Sequence, residues 1–153
     1  MITGQLRNKV DKIWETFWTG GITNPLDVIE QFTYLIFIKN LDDIETTKEN
    51  DASLLGFDYA GMFPKDKQHL RWSKFKNYEA ATMYKIVQEE VFPFIKTLHS
   101  NADSAYSKYM GDAIFKIPTP QMLSKIVDSI STIDMEEEAD TKGDLYEYIL
   151  SRL

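Results

Sequence analysis

The sequence predicts an all-α fold: a compact multi-helix domain over residues 1–153, with a long, partly ordered loop at about 44–72 and one short extended segment near 113–117. Three observations predict it. Apolar residues recur at helical spacing along most of the chain. Two helix starts are marked by a capping residue followed by proline, Asn24-Pro25 and Thr119-Pro120. No alternation of strand-like and helical stretches appears, so a parallel α/β sheet is not encoded.

The first helix carries Leu6, Val10, Ile13, Trp14, Phe17 and Trp18 as one apolar stripe, with Arg7, Lys12 and Glu15 off it, and Gly20-Gly21 ends it. The second opens at Asn24-Pro25 and carries Leu26, Ile29, Phe32, Leu35, Ile36 and Leu41, widened by Phe37 and Ile38; so apolar a helix belongs at the centre of a core, and Asp42-Asp43 is expected to close it. Residues 44–70 read as loosely structured, polar first and then holding Leu54, Leu55, Phe57, Met62 and Phe63 as anchors that fold back on the core. A third helical region is expected over Ser73 to Leu98, with a kink or break at Pro93. Asn101 to Tyr109 suits a short helix. Thr119-Pro120 opens a helix with Leu123, Ile126, Val127 and Ile130 facing inward. Glu136 to Glu138 suit a solvated acidic turn. The last helix carries Leu145, Tyr146, Ile149, Leu150 and Leu153, and its stop on an apolar residue fits a chain cut within a longer protein or, more plainly, a natural terminus docked on the core.

Composition narrows the function. At 153 residues, with 43% apolar and 27% charged side chains, the chain can bury a real core. It has no cysteine, which excludes disulfides, thiolate metal sites and thiol nucleophiles and fits a reducing cytoplasm. The longest apolar run, Tyr34 to Ile38, is too short to span a membrane, and the N-terminus lacks a signal-peptide pattern. A net charge of −7 argues against coating nucleic acid by bulk electrostatics. The charge is uneven: residues 1–40 balance, and residues 101–153 carry five basic against ten acidic side chains.

Catalytic patterns are missing. No glycine-rich phosphate loop occurs. Asn24-Pro25-Leu26-Asp27 lacks the second proline and the aromatic of a base-holding loop, and reads as a helix cap. His69 and His99 have no partner at catalytic or metal-ligand spacing, and Asp42-Asp43, Glu89-Glu90 and Glu136 to Glu138 read as solvated faces. One island stands out. Lys65, Lys67, Arg71, Lys74 and Lys76 fall within twelve residues with Asp66 as the lone acid, and His69, Trp72 and Phe75 are interleaved. These side chains are candidate contacts to a DNA backbone, since basic groups that neutralise phosphates release counterions and neighbouring rings can pack on a partner. Against this stands a plainer reading, a solvated loop in which Trp72 and Phe75 are buried anchors.

Five stretches resemble a known family, in order and in register. Tyr34-Leu35-Ile36-Phe37-Ile38-Lys39-Asn40-Leu41-Asp42-Asp43 resembles the FLK-x-L-x-D helix of type I restriction–modification methyltransferase subunits. Arg71-Trp72-Ser73, Val91 to Lys96 and Asp112 to Pro118 look like the next landmarks, and Lys142 to Leu150 is similar to the GD-x-YE-x-L segment that precedes the catalytic domain. The resemblance implies the helical N-terminal domain of a DNA adenine-N6 methyltransferase that uses S-adenosylmethionine. It also implies double-stranded DNA, a specificity subunit, a second modification subunit and a restriction subunit as partners, in the cytoplasm and away from membranes. The family's cofactor and Asn-Pro-Pro-aromatic motifs lie beyond the last stretch, so no catalytic, cofactor or metal residue carries over, and this chain alone is expected neither to bind cofactor nor to methylate. Two roles follow: a DNA-clamping and subunit-docking domain that by itself binds DNA weakly and without sequence preference, or a module packing only on its own catalytic domain or the specificity subunit. For docking, Tyr146, Leu150 and Leu153 are the candidates.

Overall fold

A computed structural model describes residues 4–98 and 111–133, and among these every regular element is helical. Helix α1 (Gly4–Thr19) buries Val10, Ile13, Trp14 and Phe17. Trp18 was expected on the same stripe but is 47% exposed. It follows Phe17 by one residue, a rotation of about 100° that carries it off the buried face.

Helix α2 (Pro25–Leu55) is the spine of the domain. Asn24 caps it, its Oδ1 accepting from the Leu26 amide at 3.0 Å, and Pro25 occupies the first turn, where its missing N–H leaves nothing unpaired. Leu26, expected in the core, is exposed in that first turn. The larger correction is at the far end. Asp42-Asp43 does not close the helix, and the loop expected at 44–72 shrinks to residues 56–64, because α2 runs on to Leu55. Its close is a Schellman cap: Gly56 sits at φ 73°, and the amides of Gly56 and Phe57 both donate to the Ala52 carbonyl. Residues 46–53 read as loop because they are almost entirely polar, and a helix that projects past its core has no apolar stripe to reveal it. Met62 and Phe63 do fold back onto the core, but Leu54, Leu55 and Phe57 stay outside.

A 3-10 turn (Lys65–Leu70) leads into the short helix α3 (Trp72–Phe75). After Tyr78 the chain restarts as α4 (Ala80–Ile86), continues through a π-helical segment (Val87–Val91) and ends as α5 (Phe92–Leu98). The break expected at Pro93 takes the form of this π-bulge just before it: the Phe92 amide reaches back five residues to the Val87 carbonyl. The wider turn accommodates a residue with no amide to donate. Val87, Val91, Phe92 and Ile95 remain buried through the irregularity.

Residues 113–119 are neither helix nor strand, and Ala113 and Ile117 are buried. Helix α6 (Pro120–Ser131) is capped by Thr119, whose Oγ1 accepts from the Met122 amide at 3.2 Å. It buries Met122, Leu123, Ile126, Val127 and Ile130 against α4, α1 and α2, each such side chain contributing about 1.5–3 kcal/mol over exposure. An aromatic string, Tyr34–Phe92–Phe115–Tyr84, crosses the core with edge-on contacts at 5.1–5.9 Å between ring centroids. Among the described residues no helix is long and apolar enough to cross a membrane. The short helix expected at Asn101 to Tyr109, the acidic turn at Glu136 to Glu138 and the last helix lie outside the described residues.

Candidate nucleic-acid interface

The basic island is carried by the 3-10 turn and α3, which pack on each other, with α3 resting on α2. Its apolar residues hold it down. Leu70, Trp72 and Phe75 are buried, the Trp72 and Phe75 rings meet edge-on at 5.3 Å, and the Trp72 Nε1 donates to Ser131 Oγ at 2.9 Å, tying the island to α6. The two rings are therefore anchors, as the plainer reading had it, and neither can stack on a partner.

Arg71 leaves the surface altogether. Its side chain is only 7% exposed. The Nε donates to Asp42 Oδ1, and the two terminal nitrogens grip Glu49 as a fork, at 3.1 Å and 2.8 Å. Gln68 Oε1 and Thr46 Oγ1 accept from it as well, at 3.1 Å and 3.0 Å, and the guanidinium lies 5.8 Å from the centre of the Phe63 ring. Burial works against its charge, but the hydrogen bonds from the Glu49 and Asp42 carboxylates outweigh it and hold its pKa above the ordinary value. Asp42 Oδ2 accepts from the Ser73 amide at 2.8 Å, so the same carboxylate steadies the first turn of α3, which has no side-chain cap of its own. Asp42 was expected on a solvated face; its side chain is 5% exposed.

What remains outside is a group of lysines. Lys65, Lys74 and Lys76 are exposed and Lys67 is half-buried. His69 pairs with Glu90, Nε2 to Oε1, at 2.9 Å, which sets an acid at the edge of the group. The structure thus brings together four of the five cations expected at this surface and withdraws the fifth as the post that positions them. Of the docking candidates, Tyr146, Leu150 and Leu153 lie outside the described residues, as does His99.

The side chains that organise this end of the molecule share one line along α2. Gln31, Leu35, Ile38, Asp42, Glu45, Glu49 and Ala52 alternate by four and three residues, and all but Glu49 are buried. Gln31 Nε2 donates to the Ile114 carbonyl at 2.8 Å and its Oε1 accepts from the Lys116 amide at 3.0 Å, so a side-chain amide does for the irregular segment what a neighbouring strand would do. Lys116 reaches Asp27 at 3.0 Å, and Tyr84 Oη donates to the Ile117 carbonyl at 2.7 Å. Glu45 accepts from Tyr59 Oη at 2.7 Å and from the Phe63 amide at 2.8 Å. Sequence reasoning passed over Gln31 and Glu45 and set Asp42 on a solvated face. The signal was present in their spacing, which continues the inward stripe of Leu35 and Ile38.

Among the described residues no group of histidine and carboxylate side chains is placed to hold a metal ion. They also contain no strand–glycine loop–helix unit.

An all-α bundle with a short lysine-bearing segment pinned across its central helix is the class that fold and surface define. The chain belongs to the family described as the HsdM N-terminal domain, whose model matches residues 6–130; it is the N-terminal domain of the methyltransferase subunit of a type I restriction–modification system. No curated protein and no solved structure matches it. The four stretches of the resemblance that fall within residues 6–130 meet in the fold: Asp42 holds Arg71 and Ser73, Tyr34 packs on Phe92, and Phe92 packs on Phe115.

Proposed function

We propose that this domain helps its methyltransferase subunit close on DNA, with Lys65, Lys67, Lys74 and Lys76 meeting the phosphate backbone. The observation that supports this is the division of labour within the island: Arg71, Trp72 and Phe75 are locked inside, so the lysines are presented on a rigid base. Lysines on phosphates position a protein without reading sequence, and the affinity they confer is strongly salt-dependent. In this reading sequence choice belongs to a specificity subunit. Adenine-N6 methylation with S-adenosylmethionine belongs to a catalytic domain outside this chain, and the domain works in the cytoplasm within a complex that holds a second modification subunit and a restriction subunit.

The test is a salt series with the full-length subunit assembled on non-cognate duplex DNA. Replacing all four lysines by glutamine should weaken binding of every sequence alike. It should also flatten the plot of log affinity against log salt by about 0.9 for each phosphate that a lysine no longer neutralises. An unchanged slope and affinity would remove DNA from this surface.

A further inference from the structure

The end of α2 carries a feature that DNA clamping does not use. Past Glu45 the helix projects beyond the core, and of residues 46–55 only Ala52 is buried. At its tip Leu54 is 84% exposed, Leu55 76% and Phe57 51%. Three large apolar side chains within four residues make a patch on the order of a few hundred Å², the size at which exposed apolar surface marks an interaction site. The tip is also rigid. The Schellman cap fixes Phe57 beside the last turn through its amide bond to the Ala52 carbonyl at 3.1 Å, and Glu45 ties the following loop back through Tyr59 and Phe63. A preordered apolar knob loses little conformational freedom when it is covered.

Its surroundings say what kind of surface covers it. Residues 42–58 contain six acidic side chains and one cation, Lys48; from outside this stretch Lys39 pairs with Asp43, and Arg71 pairs with Asp42 and Glu49. Asp51 and Asp58 are exposed, and the Glu49 side chain is 46% exposed. A rim of this sign repels DNA phosphates and anionic lipid, and it repels its own image in a symmetric pair of copies. We infer that the knob of Leu54, Leu55 and Phe57 is a protein-docking element that seats in an apolar groove flanked by lysine or arginine on a different polypeptide. The inference is independent of the lysine island, which lies on other elements and would serve another partner.

The experiment uses the full chain and two synthetic amphipathic helical peptides that share one leucine stripe, flanked by lysine in one and by glutamate in the other. Binding is followed by fluorescence anisotropy. The lysine peptide should bind, and Leu54→Ser with Phe57→Ser should weaken it tenfold or more, as loss of two buried large side chains predicts. The glutamate peptide should not bind. Both substitutions are at exposed positions, and an unchanged circular dichroism spectrum shows that the fold survives them. Equal binding of the lysine peptide by the double variant would reduce the effect to bulk charge and overturn the docking role. Equal binding of the two peptides would overturn the basic rim. Self-association that disappears in the double variant would make a second copy the occupant and overturn the choice of partner.

Discussion

Asp42 and Arg71, 29 residues apart in sequence, form a buried ion pair in which each partner also anchors something else. The carboxylate keeps its second oxygen for the Ser73 amide, and the guanidinium keeps its fork for Glu49. Removing either partner leaves the other charged and buried. Arg71→Ala and Asp42→Ala should each destabilise the domain by about 3–5 kcal/mol in denaturant titrations. Arg71→Lys should recover little, since one ammonium cannot reproduce a fork that meets two carboxylates and a hydroxyl.

A lysine of the same island tests the proposed DNA contact apart from folding. Lys74→Glu, at an exposed position, should move stability by no more than about 0.5 kcal/mol while weakening DNA binding by the full-length subunit. A large stability loss in Lys74→Glu would show that the island is structural throughout.

Many helix positions facing the core were legible in the sequence where the inward residue was apolar: Val10, Ile13 and Phe17 on α1, Leu35 and Ile36 on α2, and Leu123, Ile126 and Val127 on α6 are all buried, while Val28 and Met122 were missed. Both proline-marked starts were legible as well, because cap and proline act locally. The reading failed where tertiary partners decide. Asp42 looks like a helix stop until Arg71 arrives from another element, and Arg71 looks like a surface cation until Asp42 and Glu49 enclose it. The projecting end of α2 gave no period to detect. Leu54, Leu55 and Phe57 were expected inside because apolar side chains usually are, and their exposure could be known only from the path of the chain.

Glu45 gives the domain a dependence on pH. Burial raises the pKa of its carboxyl, but the hydrogen bonds from Tyr59 and from the Phe63 and Met62 amides, with the nearby Arg71 charge, outweigh burial and hold it below its ordinary 4.5. A carboxyl depressed in the folded state contributes stability that is complete above its unfolded value and is lost as pH falls through the folded one. Wild type should therefore lose stability as pH drops below about 4.5, and Glu45→Gln should lose less over the same interval. The partner reports the bond independently. Tyr59 is pushed up to about 12, first by its hydrogen bond to Glu45, and phenolate absorbance should show it moving back toward 10 in Glu45→Gln.

Gln31 should tolerate no apolar replacement. Its side chain is fully buried and satisfies one carbonyl and one amide of the segment that feeds α6. Leucine has similar bulk but leaves both backbone groups unpaired, at about 1–3 kcal/mol each. Gln31→Leu should lower stability accordingly, and amide exchange at Lys116 should speed up more than exchange in α1. Equal acceleration in both would point to global loosening rather than release of this segment.

Gly61 is glycine because of Glu45. A Cβ there would stand 2.7 Å from Glu45 Oε2 and 3.2 Å from its Cδ. A long side chain could ordinarily swing aside, but this carboxylate is held on one oxygen by Tyr59 and on the other by the Phe63 amide, so moving it stretches both bonds. Gly61→Ala should therefore cost about 1–3 kcal/mol, the range for forcing a methyl into a packed site. Glu45→Ala removes the obstacle together with the bonds, and the two substitutions should be strongly non-additive: in the Glu45→Ala background, Gly61→Ala should be close to neutral. Denaturant titration of the four chains of this cycle measures the coupling directly. Additive losses would mean that the glycine serves the local backbone and not the carboxylate it faces.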